Sequence, residues 1–175
     1  MRRIIAPLLG LFLLPLAATA QERAMQVVAE SVDIRASPAD VWNMVKRFGA
    51  LQEWHPAFPS TPIIKGRDGQ VGAVREVTVK DGPKFTEELL ALDEPEMAFT
   101  YGIVQSPLPI ENYRSTMTVR ANAAGGATVV WVGNFVRKNP AANPPEAESD
   151  AGTVNFVSGA YTGGLQNLKK IMESK

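Results

Sequence analysis

Cysteine is absent from the 175-residue chain, and histidine occurs once, at position 55. The first absence excludes disulfides, thiol nucleophiles and thiolate metal sites. The second leaves no pair of imidazole ligands, and any Ser-His-Asp triad would have to be built on His55 alone. Neither charge is in excess, with 18 Lys and Arg against 18 Asp and Glu. No basic stretch is interleaved with aromatics, so nucleic acid is not an expected partner. Carboxylates at EF-hand spacing are missing, and so is a phosphate-binding loop, because Gly159, Gly163 and Gly164 fall inside a helical pattern rather than after a strand. Neither a metal nor a cofactor is expected.

An apolar run long enough to span a bilayer comfortably is also lacking. What stands at the start is shorter: Met1-Arg2-Arg3, an apolar stretch from Ile4 to Leu16 interrupted by Pro7 and Pro15, and Ala18-Thr19-Ala20. That is the layout of a secretory signal peptide, with residues 1–20 removed on export. Loss of Arg2 and Arg3 leaves 16 basic against 18 acidic residues, a net charge of −2. The expectation is a periplasmic or secreted protein, not inserted in a membrane after cleavage, with residues 21–175 forming one domain held by its core.

Hydrophobic periodicity organises the rest. Residues 26–35 alternate around Val28, Val32 and Ile34 as a first strand. Ser37 then stands as N-cap and Pro38 as first residue of a short helix over 38–48, with Val41, Trp42, Val45 and Phe48 on one face and Gly49 as its stop. Six strand candidates follow, at 61–66, 72–80, 84–93, 97–105, 111–121 and 127–138, separated by turn signals such as Asp81-Gly82-Pro83 and Gly125-Gly126. Their short connections imply an antiparallel meander. After the proline-bearing stretch 139–145, Val154, Val157, Tyr161, Leu165, Leu168 and Met172 recur at helical spacing, marking a long C-terminal helix. The expected class is α+β: a curved antiparallel sheet of about seven strands wrapped on the long helix, with a short helix after the first strand.

Two features are odd for a closed core. In ENYRSTMTVR, residues 111–120, alternation puts Tyr113 and Ser115 on the same inward face as Met117 and Val119. On the long helix, the face carrying Phe156 continues as Ala160 and Gly164. Small residues there either let the helix approach the sheet closely or leave a cavity; each interior glycine costs about 1 kcal/mol relative to alanine. Arg75 shares a face with Val77 and Val79, and an inward guanidinium requires a carboxylate, for which Glu87 on the next strand is the candidate. Trp42, Trp131 and Phe135 read as core, and Met97, Phe99 and Met117 as core or cavity wall.

Several segments together resemble the SRPBCC superfamily, the START and birch-pollen-allergen-like helix-grip fold, in its polyketide-cyclase-like branch. They are SPADVWNMVKRFGALQEWHP, VGAVREVTVKDG, FTEELLALDEPE, FTYGIVQSPLPIENYRSTMTV and AYTGGLQNLKKI, covering most of residues 30–172. The middle segments are also similar to plant abscisic-acid receptors. That similarity implies a ligand cavity walled by Arg75, Val77, Val79, Glu87, Tyr101, Ile103, Tyr113 and Ser115 from the strands and Phe156, Ala160 and Gly164 from the helix. Two departures separate the chain from those receptors: their Ser-Gly-Leu-Pro-Ala gate is replaced by Asp81-Gly82-Pro83-Lys84, and their carboxylate-binding lysine falls near Thr61. The signal peptide, Asn143-Pro144-Pro145 and GLQNLKK look closer to an exported bacterial group that includes methanol-oxidation accessory proteins of the MxaD kind, which implies a periplasmic dehydrogenase or cytochrome as partner.

Three functions compete. One is a non-enzymatic binder of a small apolar molecule, or an accessory to a periplasmic dehydrogenase system. Another is a cyclase- or dehydratase-like enzyme using His55 or Tyr113 as acid or base; otherwise Trp54-His55-Pro56 only packs the end of the sheet. The third is a scaffold whose cavity is filled by side chains and smaller than the ~300 Å³ of ordinary ligand pockets.

Overall fold

A computed structural model describes residues 23–174; the expected signal peptide lies outside the described residues. The strands are β1 (Gln26–Ile34), β2 (Ile63–Lys65), β3 (Val74–Thr78), β4 (Lys84–Asp93), β5 (Ala98–Gln105), β6 (Ile110–Ala121) and β7 (Ala127–Arg137), and the helices are α1 (Pro38–Val45) and α2 (Asp150–Glu173). All seven strands form one antiparallel sheet in the order β1-β7-β6-β5-β4-β3-β2. The meander therefore runs from β2 to β7, and the first strand closes it on the far side of β7. The sheet curves around α2, as the α+β helix-grip expectation requires. Among the described residues, no helix is long and apolar enough to cross a membrane.

Local signals account for the helix starts. The Ser37 hydroxyl accepts the Asp40 amide at 3.1 Å, with Pro38 in the first turn. Ser149 does the same for Gly152 at 3.0 Å at the head of α2. The first helix is shorter than its pattern suggests. It ends at Val45, and residues 48–53 continue as a 3-10 segment kinked at Ala50. Gly49 is inside that segment rather than a helix stop. Its missing side chain serves packing, since a Cβ there would stand 2.8 Å from Cγ1 of Ile63.

Alternation along the strands turns one face inward. From β5 to β7 the register places Tyr101 opposite Ser115 and Ser115 opposite Gly133. On β3 and β4, Arg75 lies directly opposite Glu87. Helix α2 packs over this face, mainly on β1 and β7, and buries Val157, Tyr161, Leu165, Leu168 and Met172.

Two glycines set how closely α2 and its neighbours approach. A Cβ on Gly133 would collide with the Tyr161 hydroxyl, and a Cβ on Gly164 would overlap the His55 ring, standing 2.8 Å from Nε2. Gly159 and Gly163, by contrast, face open space. Gly164→Ala should therefore lower unfolding free energy by about 1–3 kcal/mol through overpacking. Gly159→Ala and Gly163→Ala should each raise it by about 0.5–1 kcal/mol, because alanine is the better helix former. Urea denaturation of the three variants checks both signs.

Candidate functional site

Between α2 and the β3–β6 half of the sheet lies a cavity of about 110 Å³. Arg75, Val79, Phe85, Glu87, Tyr101, Ile103, Ile110, Tyr113 and Trp131 wall it from the sheet side, Phe156, Val157, Ala160 and Tyr161 from α2, Leu51 from the 3-10 segment, and Ala57, Phe58 and Leu108 from the loops. The volume is below the ~300 Å³ of pockets for drug-sized ligands. It is well above what a single water needs.

A polar network forms part of this wall. The Ser115 hydroxyl donates to the Val132 carbonyl at 3.0 Å. A carbonyl only accepts, so the serine proton is committed and its remaining contacts must donate to it. They are the Trp131 indole N–H at 2.9 Å and the Tyr161 hydroxyl at 2.8 Å. Tyr161 in turn accepts from Tyr113 at 2.5 Å, and Tyr113 from Tyr101 at 3.3 Å. Tyr101 also receives the Trp131 N–H at 3.0 Å. Hydroxyl protons thus point one way along the chain Tyr101, Tyr113, Tyr161, Ser115. Burial pushes all three phenols up: Tyr101 to about 12, with the Glu87 charge adding to it, Tyr113 well above the ordinary value, and Tyr161 likewise. The protein has three tyrosines, and all belong to this network.

Beside it is an ion pair with 3% and 5% of the two residues exposed. Arg75 Nε and Nη2 reach the same oxygen, Glu87 Oε2, at 2.7 and 2.6 Å, and Nη1 donates to the Phe48 carbonyl at 2.6 Å. The guanidinium lies 4.0 Å over the Phe48 ring and 5.1 Å from that of Tyr101. Burial pushes the Glu87 carboxyl up while Arg75 pulls it down. A pair so placed is retained only when its hydrogen bonds are well made.

His55 is behind the cavity wall rather than in it. Its Nε2 is 2.9 Å from the Ala160 carbonyl, which can only accept, so the ring proton is on Nε2. Nδ1 then accepts the Ala57 amide at 3.3 Å. The Phe58 ring lies against it, tilted by 31°, with centroids 4.2 Å apart. Burial lowers the imidazole to about 4, so at neutral pH it is uncharged.

The structure thus brings Arg75, Val79, Glu87, Tyr101, Ile103, Tyr113, Phe156 and Ala160 onto one cavity wall. Three residues expected there stand elsewhere. Val77 is fully buried core; Ser115 lies behind the tyrosines and anchors their hydroxyls; Gly164 faces His55 and Trp131. The small-residue stripe therefore serves both purposes: Ala160 leaves space, and Gly164 permits close approach. Two wall residues that the sequence marks only as core, Trp131 and Tyr161, stack on each other at 4.2 Å with planes 5° apart. Inward position was legible for both, but not that their polar ends would meet. Among the described residues no group of three or more potential metal ligands occurs.

Two pH effects follow. A folded histidine near 4 against an unfolded value of 6.5 leaves the unfolded chain binding more protons between those limits. Stability is then full above pH 6.5 and falls as pH drops toward 4, by on the order of 3 kcal/mol. His55→Gln should flatten the part of the profile between pH 6.5 and 4.5 in denaturation experiments. The tyrosines act at the other end: folded values raised above the unfolded 10 give stability that is present below pH 10 and is lost as pH rises toward 12 and beyond. Absorbance at 295 nm should show no phenolate before alkaline unfolding, since no tyrosine is outside the network.

Residues 25–173 match the family described as polyketide cyclase / dehydrase and lipid transport. Abscisic acid receptor PYL10 of Arabidopsis thaliana is 31% identical over 136 residues, covering 76% of this chain and 72% of the receptor. Among solved structures, the protein XoxI from Bacillus cereus is 30% identical with a TM-score of 0.72, covering 83% of this chain and 94% of its own. A protein from Thermobifida fusca is 28% identical with a TM-score of 0.69, covering 83% and 92%. The match spans the sheet, the cavity wall and α2 together, and the chain belongs to the polyketide cyclase / dehydrase and lipid transport family of the SRPBCC, START-like superfamily.

Proposed function

We propose that this chain is an exported, non-enzymatic protein that binds a small apolar molecule in the cavity under α2 and serves as an accessory factor to a periplasmic dehydrogenase system. The observation that carries the binding role is the cavity itself. It is partly open to the outside and walled almost wholly by apolar side chains, with Arg75 and Glu87 as its charged residues, which suits a small apolar guest. The volume, below ~300 Å³, also meets the expectation for a scaffold, and ligand retention is the measurement that separates the two readings.

The acid–base alternative finds less support. Both His55 nitrogens are engaged by backbone groups, and the ring is outside the cavity wall. Tyr113 does reach the cavity, but its proton is committed to Tyr161 and burial disfavours its loss. A base held that far from neutrality is poorly matched to proton transfer at ordinary pH. Support for export and for a dehydrogenase or cytochrome partner comes from the signal-peptide pattern at residues 1–20 and from the resemblance to methanol-oxidation accessory proteins.

Native mass spectrometry of the protein purified from its source should show a retained small molecule, and Ala160→Leu should abolish retention while raising thermal stability of the empty protein. Affinity capture from periplasmic extract should recover a dehydrogenase or a cytochrome. Failure of retention would remove the binding role, and failure of capture the accessory role.

A further inference from the structure

The polar atoms around the cavity differ in how fully they are used, and the difference restricts what the cavity can hold. In the tyrosine network every hydroxyl proton is directed to a protein oxygen. In the ion pair, both contacts from Arg75 go to Glu87 Oε2. Among the described residues, Oε1 of Glu87 makes no hydrogen bond. Glu87 is 5% exposed and lines the cavity, so that oxygen has only the cavity to turn to. A carboxylate oxygen that opens onto an apolar cavity gains from a hydrogen-bond donor placed there, and a ligand group can supply one. Arg75 also lines the cavity and has five N–H groups. Its contacts to Glu87 and to the Phe48 carbonyl leave terminal N–H groups to spare.

Charge decides the rest. Arg75 and Glu87 neutralise each other 2.6 Å apart, and no other Asp, Glu, Lys, Arg or His lines the cavity, whose three phenols stay protonated at neutral pH. A ligand carboxylate would meet the Glu87 charge, and a ligand ammonium would meet the guanidinium. Either would enter a mostly apolar space without a free counterion, at heavy desolvation cost. A hydroxyl carries no charge, donates one hydrogen bond and accepts others, and so can serve Glu87 Oε1 and an Arg75 N–H together. Size sets the upper limit: a dry cavity of about 150 Å³ admits benzene, and this one is about 110 Å³.

Resting on the binding role proposed above, we infer that the ligand is a compact uncharged hydroxyl compound, an alcohol of about a single five-membered ring or an equivalent short chain, held by Glu87 and Arg75 at its hydroxyl and by the apolar wall elsewhere. The probe set is cyclopentanol, cyclopentanecarboxylate, cyclopentylammonium and cyclopentane. The readout is the indole N–H resonance of Trp131, one of three tryptophans and the one in the wall. Cyclopentanol should shift this signal saturably, binding at least tenfold more tightly than either ion and several-fold more tightly than cyclopentane. In Arg75→Met/Glu87→Leu, which replaces the pair by apolar groups of similar size, cyclopentane should still bind and the preference for the alcohol should vanish. Should that variant not fold, Glu87→Gln carries the same comparison: its unpaired guanidinium should make the carboxylate overtake the alcohol. A wild-type cavity that takes the carboxylate or cyclopentane as tightly as cyclopentanol, or a preference that survives loss of the pair, overturns the assignment of ligand class and leaves the binding role standing. If none of the four binds, both fall.

Discussion

The site depends on how closely α2 lies against β7. Tyr161 makes that contact: its ring stacks flat on Trp131, and its hydroxyl occupies the notch left by Gly133. A side chain at position 133 would push the helix outward. With the helix seated, the Tyr161 hydroxyl is within bonding distance of both Ser115 and Tyr113, and the polar ends of five residues close on one another. The same seating brings the Ala160 carbonyl to His55 through the gap at Gly164. Two absent side chains therefore position most of the polar atoms under the helix.

Those polar groups fall into two kinds with different roles. The Ser115, Trp131 and tyrosine network is saturated, with its protons running to a backbone carbonyl. A saturated network rigidifies and specifies a core more than it offers bonds to a guest. His55 belongs with it: neutral, bonded on both nitrogens, and sandwiched by Phe58 and α2, it ties the loop after α1 to the helix. The ion pair is the other kind. Its geometry doubles up on one carboxylate oxygen and leaves the second available, which makes it the polar point of an otherwise apolar wall. The abscisic acid receptor relative is named for an acid, whereas a self-neutralised pair suits an uncharged guest.

Much of the fold was legible because its signals are local. Strand alternation in ENYRSTMTVR placed Tyr113 and Ser115 inward, and both are buried. The spacing from Val154 to Met172 marked α2, and Ser37 with Pro38 marked the start of α1. Pairing of Arg75 with Glu87 followed from inward alternation and the cost of a lone buried charge, and the register bears it out. Gly49 misled, because a glycine needed for packing against Ile63 looks the same in sequence as one that ends a helix.

By itself, the sequence determined the α+β class, the order of its elements and which side chains face inward, since those follow from periods of two and 3.6 residues and from capping groups a few positions apart. Which inward groups reach the cavity was decided only by the tertiary structure. Val77, Ser115 and Gly164 share faces with wall residues yet stand away from the cavity, and Trp131 and Tyr161, thirty residues apart, enter it from β7 and α2. The direction of each hydroxyl proton, the neutrality of His55 and the spare oxygen of Glu87 depend on distances between strands and helix of a few tenths of an ångström. Periodicity along one chain carries no such distances; they arise when curved sheet and helix settle to a common packing.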